Sequence, residues 1–139
     1  MLTPHQIKLV QDTWKMISPV SQKMGEEFYH HLFEKYPELR PLFKIEPKDQ
    51  AMKLMFMISY LVHRLDQIPE LQEEIVKLAT RHHGYGAKLE HYQYIGETLI
   101  WSLERNLGKN WTKETEEAWL STYKLISELM IGAQKVAMN

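Results

Sequence analysis

The sequence predicts an all-α fold, and three features of the chain support that prediction. Apolar residues recur at steps of three and four along most of the chain, which places them on one face of a helix. No segment alternates convincingly between apolar and polar residues, and no Asn-Gly or Asp-Gly hairpin turn occurs. Proline and glycine fall where such helices would start or stop. We therefore expect about six or seven helices in one domain.

The first half of the chain predicts two helices, a short helical turn and then a long helix. Thr3 and Gln6 form a capping box that starts the first helix. The second helix ends near Tyr36, because the residue before a proline avoids helical angles. Residues 37–43 predict one or two helical turns, and residues 44–49 predict a loop. The three apolar stripes are Ile7, Val10, Trp14 and Ile17; Val20, Met24, Phe28 and Leu32; and Ala51, Leu54, Ile58, Leu61 and Leu65.

The second half of the chain predicts three more helices. Pro69 is expected to open a helix that ends at His82. The next helix begins near Glu90 and is closed by Gly108, and Thr112 is the expected N-cap of the last one. Their apolar stripes are Leu71, Ile75 and Leu78; Ile95, Leu99, Leu103 and Leu107; and Trp119, Tyr123, Ile126, Met130 and Ala133.

Composition excludes several classes of function. The net charge is −1, from 17 basic and 18 acidic residues with no long run of either sign, so we expect neither nucleic acid nor an anionic membrane as a partner. Cysteine is absent, which removes disulfides, thiolate metal sites and cysteine nucleophiles. The first residues do not form a signal peptide, and the longest apolar run, residues 54–62, is too short to span a bilayer. We expect a soluble, cytoplasmic protein.

Sequence motifs for common enzyme sites are also missing. The glycine cluster at residues 84–86 follows a helix rather than a strand, so it indicates a helix stop rather than a phosphate-binding loop. No GxSxG elbow occurs, and no histidine pair has the helical i, i+4 spacing of a zinc protease. The adjacent pairs His30-His31 and His82-His83 point in directions about 100° apart, so neither pair can chelate a metal from one face.

His82 ends the apolar stripe of Leu71, Ile75 and Leu78. An imidazole that points inward from an apolar face needs a partner, since an unpaired buried polar group costs about 1–3 kcal/mol. The partner could be another side chain, a water or a metal, and from the stripe alone a hydrogen-bonded core histidine is the simplest interpretation. A metal held by one side chain would need its other ligands from a cofactor. A porphyrin supplies four nitrogens and leaves the sixth iron position open.

Five blocks of sequence, in order along nearly the whole chain, resemble those of a globin. They are FYHHLFEKYPELRPLF, QAMKLMFMISYLV, LATRHHGYG, HYQYIGETLIWSL and AWLSTYKLISELMI. The resemblance is to single-domain bacterial haemoglobins related to flavohaemoglobins, such as those of the Vitreoscilla haemoglobin and Hell's Gate globin I type. It implies a globin fold, a 3-over-3 helical sandwich around one haem b. It also implies that residues 1–139 are a single globin domain without a reductase domain.

The resemblance implies a role for each of seven residues. It makes His82 the proximal iron ligand, Tyr29 and Gln50 the distal residues that stabilise bound O2, and Phe43, Leu54, Tyr92 and Gln134 residues around the haem. The alternative for Tyr29 is a core tyrosine bonded to a backbone carbonyl, and the alternative for Gln50 is a solvated side chain at the helix start. Gln134 stands where flavohaemoglobins carry a glutamate, and an amide donates less electron density toward a ligating imidazole. We therefore expect Gln134→Glu to lower the haem reduction potential.

The resemblance leaves three functions open. The first is tight O2 binding at a five-coordinate ferrous iron, for oxygen storage, transport or delivery. The second is an enzymatic one, nitric oxide dioxygenation to nitrate, which needs electrons from a separate flavin reductase. The third is a gas sensor, although no output element is visible in the sequence. O2, NO and CO are the expected small ligands, and the expected oligomeric state is a monomer or weak homodimer. A helical bundle without haem is the structural alternative.

Overall fold

The computed structural model describes residues 2–44, 46–84 and 88–138, with the backbone alone for residues 134–138. Within these ranges the regular structure is helical and no strand is present, which confirms the all-α prediction. The α-helices are α1 (Pro4–Ile17), α2 (Ser21–Lys35), α3 (Pro47–His63), α4 (Gln72–Gly84), α5 (His91–Leu107) and α6 (Lys113–Met138). Short 3₁₀ segments are Ser18–Val20, Pro37–Leu42, Leu65–Leu71 and Gly108–Asn110. No helix among the described residues is long and apolar enough to cross a membrane.

The predicted helix caps are present. The Thr3 hydroxyl accepts from the Gln6 amide at 3.1 Å, and the Gln6 side chain accepts from the Thr3 amide at 3.1 Å, so the capping box at α1 is confirmed. The Thr112 hydroxyl accepts from the Thr115 amide at 3.1 Å at the start of α6. Gly108 ends α5 with φ of 53°, a left-handed angle at which a side chain would be strained.

The prediction that Pro69 opens α4 is wrong. Pro69 lies inside the 3₁₀ segment Leu65–Leu71, and α4 begins only at Gln72. Gln67 has non-helical angles of −123° and 28°, so the chain kinks just before the proline and starts a new helix afterwards. Leu65 therefore belongs to this segment and not to the stripe of α3, which ends at His63.

Two other boundaries differ from the prediction. The loop expected at residues 44–49 is shorter, because Pro47 occupies the first helical position of α3, where its fixed φ suits a helix and its missing donor costs nothing. Val20 was expected on the buried stripe of α2. It instead lies in the 3₁₀ turn between α1 and α2 and is 40% exposed.

The apolar core is divided into two clusters. The larger joins α1, α2, α3 and α5 with the start of α6. The smaller joins α4 with the ends of α3 and α6 and with Tyr92 on α5. Among the described residues, α4 packs mainly on α6 and α3 mainly on α2, while α3 and α4 make little contact with each other. The two helices that carry Gln50 and His82 are thus separated rather than packed together.

A glycine brings α2 and α3 close together at the site of interest. A Cβ on Gly25 would lie 2.9 Å from the Ala51 Cβ and 3.2 Å from the Ala51 carbonyl oxygen, so only glycine allows this crossing. Gly25 is one helical turn before Tyr29, and Ala51 directly follows Gln50. The close crossing therefore sets the distance between these two side chains. The Gln22 side chain adds to it by donating to the Lys48 carbonyl at 3.1 Å.

Candidate functional site

A cavity of about 190 Å³ opens between α3 and α4. Its lining is largely apolar, with charged groups supplied by α4. The lining residues are Phe56, Met57, Tyr60 and Leu61 from α3, and Glu74, Ile75, Lys77, Leu78 and Arg81 from α4. Because the two helices do not pack on each other, the cavity separates the helix that carries Gln50 from the helix that carries His82. The cavity is smaller than the roughly 300–1,000 Å³ of an ordinary ligand pocket, and its lining includes none of the described residues that were predicted for the site.

His82 is partly buried on α4, and one of its ring nitrogens is fixed by the backbone. Its Nδ1 lies 2.8 Å from the Leu78 carbonyl oxygen, one turn earlier. A carbonyl can only accept, so Nδ1 carries the proton and Nε2 is the unprotonated nitrogen of the neutral ring. Burial lowers the pKa of His82, although the Leu78 hydrogen bond partly opposes that shift. The lowered pKa favours the neutral ring, which is the form of histidine that can bind a metal.

Three aromatic rings gather where α2 meets the segment after it. The ring centroids of Tyr29 and Phe43 are 5.3 Å apart, and Phe33 lies 5.7 Å from Tyr29 and 5.3 Å from Phe43. Arg40 holds this aromatic cluster in place, because its guanidinium donates to the Phe43 carbonyl at 2.9 Å and covers the Phe33 ring. Tyr29 and Phe43 were predicted to lie at one site, and the structure places their rings in contact.

Tyr29 and Gln50 lie side by side across the α2–α3 crossing, close enough for the Gln50 side chain to act on the Tyr29 hydroxyl. Burial raises the pKa of the Tyr29 hydroxyl to about 12, and the bond with the Gln50 side chain offsets part of that rise. The phenol therefore stays protonated at neutral pH and remains a donor. Gln50 is half-buried rather than fully solvated. The pair offers two polar groups in otherwise aromatic and aliphatic surroundings.

The remaining predicted site residues fall in three different environments. Leu54 is half-buried against the larger core cluster, one turn beyond Gln50 on α3. Tyr92 is 8% exposed, and its ring belongs to the smaller cluster together with Leu78. Gln134 belongs to α6, and its side chain lies outside the described residues.

The role of Tyr123 in joining two helices was not predicted from the sequence. Its hydroxyl donates to the Tyr92 carbonyl, which ties α6 to the first turn of α5. Its ring lies against Gly96, where an added Cβ would come within 2.5 Å of Tyr123 Cε2. Burial raises the pKa of Tyr123 as well. The stripe on α6 predicted only a core tyrosine, because the partner carbonyl lies 31 positions away in the chain. Phe33 and Arg40 were visible in the quoted blocks but were not singled out.

The candidate site offers a metal one histidine ligand, so it suits a metal whose remaining ligands come from a cofactor. Across the ranges that the structure describes, no group of three or more His, Asp or Glu side chains is placed to hold an ion. One partly buried imidazole, on a helix that also lines an apolar cavity, is the kind of ligand that a haem takes from a protein. The described residues are therefore compatible with haem.

Comparison with known proteins identifies relatives over nearly the whole chain. The model of the Globin family matches residues 26–130. A flavohemoprotein from Vibrio cholerae is 25% identical over 137 residues, which cover 96% of this chain and 35% of that protein. The chain thus spans about a third of the length of that relative.

Two solved structures share the fold. A bacterial globin from Campylobacter jejuni is 25% identical with a TM-score of 0.86, and the match covers 98% of this chain and 99% of that one. An engineered carbene transferase, made from a Rhodothermus marinus protein named as a nitric oxide dioxygenase, is 25% identical with a TM-score of 0.90. That match covers 99% of this chain and 96% of the other. These matches confirm the predicted globin fold.

Proposed function

Because this chain belongs to the globin family, we propose that it is a haem protein that binds O2 tightly, for oxygen storage, transport or delivery. Family membership supports binding of haem and of a gaseous ligand. Haem b and the roles of individual residues are our proposals. Bound haem supplies an iron with four porphyrin nitrogens and a sixth position open to O2, NO or CO. The protein supplies the fifth ligand and the groups that face the gas.

We assign the fifth ligand to His82. Its Nδ1 is held by the Leu78 carbonyl at 2.8 Å, which fixes the tautomer and leaves Nε2 to bind iron. Phe43 is proposed to pack on one haem face, and Leu54 to line the same side as Gln50. Tyr92 and Gln134 are proposed to lie on the proximal side.

The proposal of tight O2 binding rests on one observation, which is that Tyr29 and Gln50 lie side by side. Haem would supply O2 with partial negative charge, and a phenol or amide N–H from Tyr29 or Gln50 would stabilise that charge. Tyr29 is kept protonated by burial, and Gln50 is held beside it by the close crossing at Gly25. We propose that these two donors slow the dissociation of O2.

The test measures O2 dissociation rates of the haem-loaded protein in Tyr29→Phe and Gln50→Leu. Each variant removes one donor, and a hydrogen bond of about 1.4 kcal/mol corresponds to about tenfold faster release. Tyr36→Phe is the matched control, since the Tyr36 hydroxyl donates to Glu97 Oε2 and bonds to neither Tyr29 nor Gln50. Unchanged rates in both distal variants would remove Tyr29 and Gln50 from the mechanism.

Nitric oxide dioxygenation is a second candidate, favoured by the structural neighbour named as a nitric oxide dioxygenase and by the flavohemoprotein relative. The reaction combines NO, O2 and one electron to give nitrate, so a separate flavin reductase would have to supply the electron. In this scheme Tyr29 and Gln50 hold O2 in place until NO arrives. The test is nitrate formation when NO is added to the oxygenated protein in the presence of a flavin reductase. Absence of nitrate, with O2 binding intact, would leave storage or delivery as the function.

A further inference from the structure

An organised polar cluster lies on the outer side of α5, around Glu97. The Tyr36 hydroxyl donates to Glu97 Oε2 at 2.9 Å, and the Gln93 amide donates to Glu97 Oε1 at 3.2 Å. Lys35 Nζ lies 4.0 Å from Oε2. These hydrogen bonds lower the pKa of Glu97, so the group that faces Tyr36 at neutral pH is a carboxylate.

The ring of Tyr36 is stacked on a second phenol. The centroids of Tyr36 and Tyr94 are 4.1 Å apart, and the rings are inclined by only 17°. Both rings are partly buried and pack against the larger core cluster. Stacking at this distance lets two aromatic rings share a positive charge, which makes removal of an electron from the pair easier than from one isolated ring.

We propose that Tyr36 is a one-electron oxidation site in which Glu97 accepts the phenolic proton. A one-electron oxidant arriving from solvent takes an electron from the Tyr36–Tyr94 stack and is itself reduced. The O–H bond of Tyr36 breaks, its proton moves along the existing hydrogen bond to Glu97 Oε2, and a neutral tyrosyl radical remains. A phenol radical cation is a much stronger acid than a carboxylic acid, so the transfer is downhill.

Two other tyrosines lack the chemistry that this step needs. The Tyr29 hydroxyl is paired with the Gln50 amide, and the Tyr123 hydroxyl donates to the Tyr92 carbonyl. Neither an amide nor a carbonyl is basic enough to take the proton, and both phenols are buried. Oxidation is therefore directed to the surface at Tyr36 and away from Tyr29, the residue that we propose to hold O2.

The test oxidises the full-length, ferric haem-loaded protein with a photogenerated ruthenium(III) tris-bipyridine complex and follows the tyrosyl radical by electron paramagnetic resonance. Tyr36→Phe keeps the stacked ring but has no phenolic proton, so the first-formed tyrosyl signal should be lost. Tyr123→Phe is the control and should leave that signal unchanged, because the carbonyl that accepts from the Tyr123 hydroxyl is not basic enough to take its proton. Since the oxidant is supplied from outside, the result does not depend on whether the protein stores O2 or oxidises NO.

Glu97→Gln separates proton transfer from folding. Glutamine keeps a hydrogen-bond acceptor at the same place but is not a base. Radical formation should slow by about 10²-fold, the low end of what a positioned general base contributes, and its solvent isotope effect should change. An undiminished tyrosyl signal in Tyr36→Phe would overturn the site, and a wild-type rate in Glu97→Gln would overturn the role of the carboxylate.

Discussion

Replacing Gly25 by alanine tests how the helix crossing sets the distal pair. The new Cβ would lie 2.9 Å from the Ala51 Cβ and 3.2 Å from both the Ala51 carbonyl oxygen and Met55 Cγ. The first two atoms belong to rigid parts of α3, so they cannot move aside without moving the helix. We expect α3 to shift away from α2 and to carry Gln50 away from Tyr29.

The expected change in unfolding free energy for Gly25→Ala is the sum of two opposing effects. Alanine is better than glycine in a helix by about 0.5–1 kcal/mol. Overpacking at a tight contact costs about 1–3 kcal/mol. Gly132 on α6 provides the matched control, because a Cβ there meets nothing within 4 Å. Gly132→Ala should therefore stabilise the protein, and the difference in unfolding free energy between the two variants should equal the overpacking cost of about 1–3 kcal/mol.

Urea unfolding of the haem-loaded protein measures this difference, and O2 dissociation measured on the same samples reports on the distal pair. Gly25→Ala should release O2 faster than wild type, whereas Gly132→Ala should not. In an Ala51→Gly background the cost of Gly25→Ala should fall, because one of the overlapping atoms is gone. Equal stabilisation by Gly25→Ala and Gly132→Ala would refute the argument.

Three further predictions concern the core and its ionisation. Gly96→Ala should destabilise the protein by about 1–3 kcal/mol in urea unfolding, since its Cβ would lie 2.5 Å from the Tyr123 ring. The pKa of Tyr29 is raised from 10.0 to about 12, so unfolding free energy should fall as pH rises above 10, where the unfolded chain loses its proton first. In unfolding curves measured at alkaline pH, Tyr29→Phe should remove the part of the stability loss that comes from this tyrosine. Ile75→Ala should cost about 2–5 kcal/mol because Ile75 is 2% exposed, whereas Val76→Ala, at 49% exposure, should change unfolding free energy by no more than about 0.5 kcal/mol.

Helical periodicity explains what could be predicted about α4. Leu71, Ile75 and Leu78 are all buried, as their spacing indicated, and His82 at the end of the same stripe is partly buried. Periodicity is a local property, so it survives errors at a boundary. The predicted start of α4 was wrong, because the kink at Gln67 depends on how the chain turns before Pro69.

Contacts between helices could not be predicted in the same way. The Tyr123 hydrogen bond to the Tyr92 carbonyl requires a particular crossing of α5 and α6, and the sequence around either residue contains no sign of it. The close approach at Gly25 is similar, because an isolated glycine in a helix indicates nothing about its neighbour. Tyr29 and Gln50 were paired in advance only through resemblance to globins.

The most direct test of the account is a visible spectrum of wild-type protein and of His82→Ala, each supplied with haem, reduced without oxygen and then exposed to air. We expect the wild type to give a five-coordinate ferrous spectrum that converts to a stable oxygenated one. His82→Ala should lose this behaviour, and added imidazole should restore part of it. A wild-type protein that does not bind haem, or whose spectrum ignores O2, would contradict the proposed site. So would a His82→Ala variant that behaves like wild type.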